Sequence, residues 1–265
     1  MKFLRREEQD VKSVDELKKL FPDWQKNERW LFIGPHDDDI VLGAGLTMRA
    51  ALDAGVDVYA LVATDGRMGY CYKEQEDTIG EIRHKETVDS FKIIGLKEKN
   101  IFFADMPDCD TATYIGRRKA KPGDPEIGGY TGFQNSFTYY VRKVKPTRIF
   151  LPTGEDLHPD HKVVYQEVLI SMFHAGGNIW PELGEPVDPP AAYEFPVYCD
   201  FPSAPNLKIE ADQEVFKKKL DAIMAYKSQE QIAALVQGVK DGGPLEYLRE
   251  IDFNMYSAKK YKDLF

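Results

Sequence analysis

The sequence predicts an α/β fold with a mostly parallel sheet covered by helices on both faces. Apolar, β-rich runs alternate with longer segments of helical periodicity through most of the first 175 residues. Glycines stand where two of the helical patterns end, at Gly55 and Gly95. This alternation is typical of strands that lie side by side and are joined by helices packed on the sheet.

The first three elements come from residues 30–63. Residues 30–33 are apolar without interruption, as expected for a strand buried on both faces. Residues 41–54 have a helical pattern that ends before Gly55, and residues 56–63 form a second apolar run rich in β-formers. Together they predict a β-α-β unit.

The same alternation continues downstream. The pattern predicts helices at residues 78–94, 133–144 and 161–173, and strands at 101–104 and 147–151. After Pro205 it becomes helical, with Phe216, Leu220 and Ile223 on one face, and residues 232–239 continue it.

We expect residues 1–265 to form a single domain, since 265 residues suit one large α/β domain and no internal repeat is visible. Two stretches rich in Gly, Pro and charge, residues 108–132 and 176–190, are expected to be surface loops. They are either rims of a site or solvated insertions without function.

Composition excludes some classes of protein. The formal charge of −9 argues against a nucleic-acid partner, which usually requires a basic surface. The three cysteines form no CxxC pair, and the N-terminus lacks the apolar stretch of a signal peptide. No apolar run approaches the ~18 residues of a membrane span. We therefore expect a cytoplasmic protein, with the oligomeric state left open, a homo-oligomer included.

Two clusters of histidines and carboxylates contain the candidate metal-binding and catalytic residues: His36-Asp37-Asp38-Asp39 and His158-Pro159-Asp160-His161. Both follow predicted strands, and ligands bind at the carboxyl ends of such strands, so the clusters can converge. Imidazole and carboxylate together suit a divalent metal with an open position for water, which indicates hydrolysis. For either cluster alone, a loop histidine with helix-capping aspartates is the alternative.

Residues 35–43 resemble the first signature of the LmbE/PIG-L family of zinc-dependent deacetylases, usually Ala-His-Pro-Asp-Asp-Glu before an apolar pair and Gly. Residues 158–161 match its second signature. Three further segments resemble the family in the same order: Thr64-Asp65-Gly66-Arg67-Met68-Gly69, the pair Arg83 and Glu86, and Lys227-Ser228-Gln229. The resemblance covers roughly residues 29–230. It implies a Rossmann-like three-layer sandwich and an enzyme of the N-acetylglucosaminyl deacetylase type.

The resemblance implies that His36, Asp39 and His161 bind the metal, with zinc as the expected ion. These three residue types leave a fourth position for water. Histidine-carboxylate sites also accept iron, cobalt and other divalent ions, so the residues alone do not identify the metal.

The resemblance and the chemistry together assign three catalytic residues. Asp38 is the expected general base, with capping of the helix that starts near Ile40 as its alternative role. His158 is the expected acid or oxyanion stabiliser. Asp160 is expected to hold the His158 ring and favour its charged form, with an N-cap as the alternative.

Arg83 is the expected substrate-binding residue, and a local pair with Glu86 is its alternative. The chain also departs from the family pattern. Asp37 replaces the usual Pro, and we favour a helix-capping role for it over one at the metal. Ile40 stands where Glu is frequent, and Tyr226 where the late helix often has His.

These features predict a metal-dependent hydrolase that uses metal-activated water to remove an acyl group, expected to be acetyl, from an N-acylated amino sugar or glycoside. The alternative is a catalytically altered carbohydrate-binding protein that retains the metal site. The departures from the family signature at Asp37 and Ile40 favour this alternative. The intact set of Asp38, His158 and Asp160 favours the enzyme.

Overall fold

The computed structural model describes residues 1–8, 10–21, 23–253 and 256–264. The strands are β1 (Lys2–Glu7), β2 (Asp10–Val14), β3 (Arg29–Gly34), β4 (Asp57–Thr64), β5 (Ile101–Met106), β6 (Arg118–Lys119), β7 (Tyr130–Thr131), β8 (Arg148–Pro152), β9 (Ala191–Phe195), β10 (Leu207–Glu210) and β11 (Leu245–Ile251). The α-helices are α1 (Leu17–Leu20), α2 (Asp39–Asp53), α3 (Ile79–Ile94), α4 (Phe133–Val144), α5 (Pro159–Ala175), α6 (Gln213–Ile223) and α7 (Ile232–Gly242).

The central sheet has the strand order β2-β1-β10-β11-β9-β8-β3-β4-β5. Its last five strands run parallel, with Trp30 of β3 opposite Val58 of β4 and Arg148 of β8. The other four strands extend the sheet by antiparallel pairing. The expected α/β fold with a parallel core is confirmed. The antiparallel extension is a feature that the sequence analysis missed.

Side chains of the central strands alternate between the two faces of the sheet. Trp30 and Phe32 join the core beneath α2, α3 and α6, whereas Leu31 and Ile33 join the core beneath α4 and α5. A strand that is apolar at every position therefore fills both layers of the core. The result is the expected three-layer arrangement of helix, sheet and helix.

The two segments expected to be loops differ in their relation to the sheet. Residues 108–132 contain a 3₁₀ turn (Thr111–Tyr114) and the short hairpin of β6 and β7, and they begin at the carboxyl end of β5. Residues 176–190 begin after the last residue of α5. From there the segment reaches the first one, since Glu182 pairs with Arg117 and the Trp180 ring lies 4.7 Å from the Arg117 guanidinium. Of the two segments, the first is the one that begins at the carboxyl edge of the sheet, where the rim of a site would lie.

Among the described residues, no helix combines the length and the apolar character that crossing a bilayer requires.

Candidate active site

The first cluster lies in a tight turn between β3 and α2. Pro35 O accepts hydrogen bonds from Thr64 N at 3.0 Å and Thr64 Oγ1 at 2.8 Å, which fastens the turn to the neighbouring strand. A Cβ at Gly34 would lie 2.9 Å from both His36 O and Ile40 Cγ1, so the turn needs glycine there. The backbone can therefore place His36 and Asp39 directly at the carboxyl edge of the sheet.

The second cluster opens α5. His158 is the N-cap, and its Nδ1 accepts a hydrogen bond from Asp160 N at 3.3 Å. Pro159 occupies the first helical position, where a missing N–H costs nothing. One turn into the helix, the fully buried His161 points to the same edge as the first cluster.

The three side chains expected to bind metal converge. His36 Nδ1 lies 3.3 Å from Asp39 Oδ2, His161 Nε2 lies 3.2 Å from Asp39 Oδ2, and the two nitrogens are 3.3 Å apart. Ligands at roughly 2.0–2.1 Å from a tetrahedral ion are separated by about 3.3–3.4 Å. The three atoms thus have the spacing of three corners of such a tetrahedron, and the residues fit a bound divalent metal.

Other atoms of these side chains support this fit. His36 N donates to Asp39 Oδ2 at 2.7 Å and orients the carboxylate. Asp39 Oδ1 is buried without a hydrogen-bond partner among the described residues. Ring nitrogens of His36, His158 and His161 also lie within 4.8 Å of one another, but this looser spacing suits His158 less well as a ligand.

Two carboxylates face the second nitrogen of the His36 ring. Asp108 Oδ1 and Asp160 Oδ2 each lie 3.3 Å from His36 Nε2. Asp160 is itself held by Thr111 Oγ1 at 2.6 Å and by Cys109 N at 3.0 Å. Carboxylates behind a metal-binding imidazole fix its orientation and tautomer. Asp160 therefore contacts His36, rather than holding the His158 ring as expected, and it is not the N-cap.

Asp156 stands behind the other imidazole. Its Oδ2 lies 3.2 Å from His161 Nδ1 and accepts a hydrogen bond from Tyr198 N at 3.2 Å, and its Oδ1 accepts from His158 N at 3.1 Å. The sequence analysis missed Asp108 and Asp156. A signal existed, because both follow the carboxyl ends of strands, as the two recognised clusters do.

Asp38 lies in the wall of a small cavity of about 160 Å³, which is also lined by Arg83, His158 and Tyr198. It occupies the N-cap position of α2 but makes no side-chain capping hydrogen bond, so the capping alternative does not hold. Burial, together with the charges of Asp37 and Asp39, raises the pKa of Asp38 to about 7. A buried carboxyl with this pKa can take up and release a proton near neutral pH.

His158 is half-buried and borders the same cavity. Burial lowers its pKa, with a further lowering by the neighbouring His36, against which the charge of Asp160 acts in the opposite direction. Because Nδ1 accepts from a backbone N–H, the neutral ring carries its proton on Nε2. The structure thus favours a neutral ring that donates a hydrogen bond through Nε2–H, in place of the charged ring that we expected.

Asp37 and Arg83 form a buried ion pair. Arg83 Nε donates to Asp37 Oδ2 at 2.9 Å, and Nη2 contacts Oδ1. The expected capping role of Asp37 is therefore wrong. Nor does Arg83 pair with Glu86, whose two carboxylate oxygens accept from Ser228 N and Oγ. Tyr226 is buried, and its hydroxyl donates to Asp37 O at 2.6 Å, which supports the turn from behind.

A protein-family model described as PIG-L, GlcNAc-PI de-N-acetylase, matches residues 31–172. The chain belongs to the PIG-L family. The matched PIG-L segment runs from within β3 to near the end of α5, so it includes both clusters and the elements that position them.

Individual PIG-L relatives agree with this assignment. The chain is 29% identical over 143 residues to the diacetylchitobiose deacetylase of Thermococcus kodakarensis, covering 50% of this chain and 44% of the relative. It is 26% identical over 168 residues to the 1D-myo-inositol 2-acetamido-2-deoxy-alpha-D-glucopyranoside deacetylase of Kineococcus radiotolerans, covering 57% and 46%. The chain therefore matches less than half the length of each of these two relatives.

A solved structure shares the whole fold. The N,N'-diacetylchitobiose deacetylase from Pyrococcus horikoshii superposes with a TM-score of 0.68 and 21% identity, covering 95% of this chain and 99% of that one. At this identity the likeness establishes the fold, whereas function has to be argued from the site.

Proposed function

We propose that this protein is a zinc-dependent N-deacetylase that hydrolyses the amide of an N-acylated amino sugar or glycoside. The observation that carries the proposal is the triangle of His36 Nδ1, Asp39 Oδ2 and His161 Nε2, with sides of 3.2–3.3 Å, beside a cavity lined by Asp38 and His158. The family and its deacetylase relatives support the reaction type.

Zinc is proposed because of the spacing. Ligands at right angles in an octahedral site with bonds of roughly 2.0–2.1 Å would be only about 2.9 Å apart. The observed separations correspond better to the tetrahedral arrangement that zinc favours with histidine and carboxylate ligands. When bound, a divalent ion supplies Lewis acidity to the carbonyl and to the attacking water.

Two residues are proposed to assist the reaction. Asp38 borders the cavity and has no capping bond to compete for its carboxylate, so it can accept a proton from the attacking water. His158 borders the cavity from the other cluster, and its neutral Nε2–H can donate a hydrogen bond to the developing oxyanion, while the proton that Asp38 accepts from the water can pass to the departing amine. Proton transfer by such groups typically contributes about 10²–10⁴-fold to the rate.

The remaining carboxylates are proposed to orient the ligands. Asp108 and Asp160 contact His36, and Asp156 contacts His161, so each imidazole is held from behind. Partners of this kind preserve the ligand geometry during a reaction. Arg83 lines the cavity, which supports a substrate-side role, although Asp37 already pairs with its Nε and Nη2.

The first test measures release of free amine from a panel of N-acetyl sugars and glycosides. The protein is stripped of metal with a chelator and reloaded separately with zinc, iron or cobalt. We expect hydrolysis by the zinc-loaded protein, and a loss of about 10²–10⁴-fold in kcat for Asp38→Asn at unchanged metal content. Asp89→Asn, at an exposed position on α3, removes a carboxylate elsewhere and serves as the matched control.

Two results would contradict the proposal. Undiminished activity in Asp38→Asn would remove the assigned base. Saturable sugar binding without any amine release, with every metal, would favour the alternative of a carbohydrate-binding protein that retains a metal site.

A further inference from the structure

The buried ion pair of Asp37 and Arg83 bears on which substrates can enter the cavity. Arg83 is 5% exposed and Asp37 is 3% exposed, and Arg83 lines the 160 Å³ cavity together with Asp38 and His158. Its Nε and Nη2 atoms both point to the Asp37 carboxylate. The guanidinium lies 3.9 Å from Asp38, another residue of the cavity wall, but its Nε–Nη2 side is already paired with a carboxylate of the protein itself.

The pair is held in place from several sides. The Tyr226 hydroxyl donates to Asp37 O at 2.6 Å and fixes the backbone of the turn. Gly66 and Gly69 cover the guanidinium closely, since a Cβ at Gly69 would collide with Nη1 and a Cβ at Gly66 would lie 3.3 Å from Cδ. Arg83 cannot turn towards a ligand unless this loop moves and the ion pair breaks.

Without Asp37, the same guanidinium would be well suited to bind an acidic group of a substrate. Its planar fork matches carboxylate and phosphate through two parallel hydrogen bonds. Asp37 supplies that carboxylate internally and neutralises the positive charge. Another lining carboxylate, Asp108, lies 3.3 Å from His36 Nε2. An anionic substituent entering the cavity would thus meet acidic groups and a cation that is already paired.

We propose that Asp37 determines substrate class: by pairing with Arg83, it makes the site accept acyl amino sugars with uncharged substituents and discriminate against those that carry a carboxylate or phosphate. This inference rests on the proposed deacetylase function and narrows its substrates. It concerns a residue at which this chain departs from the usual Pro of the resembling signature.

The experiment compares substrates that differ only in charge. The neutral substrate is N-acetylglucosamine, and the anionic ones are its 6-phosphate and a carboxymethyl glycoside, which place the charge at two different positions. For the zinc-loaded wild type we expect kcat/KM to be at least about tenfold higher for the neutral substrate. In Asp37→Asn, which keeps the shape but removes the charge, this ratio should shift by about tenfold towards at least one anionic substrate. Asp89→Asn, on the same helix as Arg83, should leave the ratio unchanged.

A binding measurement separates failure of this proposal from failure of the proposed function. Glucose 6-phosphate and glucose contain no acyl group, and their affinities for the zinc-loaded wild type and Asp37→Asn can be measured by calorimetry. If the neutral sugar is hydrolysed and the kcat/KM ratio is the same in folded Asp37→Asn, the specificity role is overturned while the deacetylase function stands. If no substrate is hydrolysed, the function fails, and the specificity role stands only when Asp37→Asn binds glucose 6-phosphate more tightly than the wild type does. A wild type that prefers the anionic substrates overturns the specificity role without any variant.

Discussion

The strands β3 and β8 have a buried charged cluster near each of their two ends, and the two clusters are built differently. Near the amino ends, Glu28 accepts hydrogen bonds from Gln25 N, Trp30 Nε1, Thr147 Oγ1 and Arg148 Nη1. The fully buried Arg148 also pairs with Asp23 at 2.6 Å. Both oxygens of Glu28 have donors, and its negative charge is balanced within the cluster.

Near the carboxyl ends, acidic groups predominate. Among the described residues there, six carboxylates surround a single guanidinium and three imidazoles: Asp37, Asp38, Asp39, Asp108, Asp156 and Asp160, with Arg83, His36, His158 and His161. Buried charge of one sign is costly unless a counter-charge is supplied. The charges of the amino-end cluster are thus balanced within the chain, whereas the excess of carboxylates in the carboxyl-end cluster is suited to an added cation. This difference in charge balance distinguishes the amino-end cluster, a structural ion pair, from the carboxyl-end cluster, the candidate active site.

The largest expected effect is on stability and comes from the amino-end cluster. Arg148→Met leaves Glu28 buried without its cation, which should lower the free energy of unfolding by about 3 kcal/mol. This is the low end of the usual range, because three neutral donors to Glu28 remain. Urea unfolding measures the loss, and metal affinity should stay close to that of the wild type.

The double variant Glu28→Gln/Arg148→Met provides the control. It leaves no unpaired charge at Glu28, so it should regain part of the lost stability. If the double variant is less stable by the sum of both single effects, the ion pair does not act as a unit. A large loss of metal affinity in Arg148→Met would contradict the separation of the two clusters.

The next effect concerns the carboxyl-end cluster. His161→Ala removes one corner of the triangle and should weaken zinc binding at least about a hundredfold, equivalent to ~2.7 kcal/mol. Chelator competition measures the affinity. His174→Ala, near the far end of the same helix, is the matched control, and equal zinc affinities in both variants would contradict the assignment of His161.

Much of the fold could be predicted because the strands and helices of its central part have clear apolar runs and helical periodicity in the sequence. All eight elements predicted between residues 30 and 173 occur, with ends within two residues of the predicted ones. The antiparallel strands could not be predicted as easily. Strand β10 has only four residues, and β1 carries two adjacent arginines, Arg5 and Arg6. Such segments become strands through pairing with distant partners, β1 with β10 and β10 with β11, which local patterns do not reveal.

In the candidate active site, too, some features could be predicted from the sequence and others could not. The sequence predicted the residues expected to bind metal, and the structure brings their ligand atoms together. It could not predict the partners of Asp37 and Asp160, because Arg83 and Thr111 approach them from remote segments. Adjacent aspartates in one turn look alike in sequence, yet one contacts an arginine, one borders a cavity and one faces two imidazoles. Their tertiary partners, rather than their residue type, distinguish their roles.

The smallest of these effects tests whether the carboxylates behind the imidazoles belong to the site. Asp156→Asn keeps the side-chain shape but removes the charge 3.2 Å from His161 Nδ1, and it should weaken zinc binding by about tenfold. The ring nitrogens of His161 should change their NMR chemical shifts, since Asp156 lies beside that ring and is proposed to orient it. Glu155→Gln removes a carboxylate at the adjacent exposed position and should change neither quantity. If Asp156→Asn lowers stability but leaves zinc affinity and the His161 shifts unchanged, Asp156 belongs with Glu28 and Arg148 as a structural residue, and the carboxyl-end cluster is smaller than the contacts suggest.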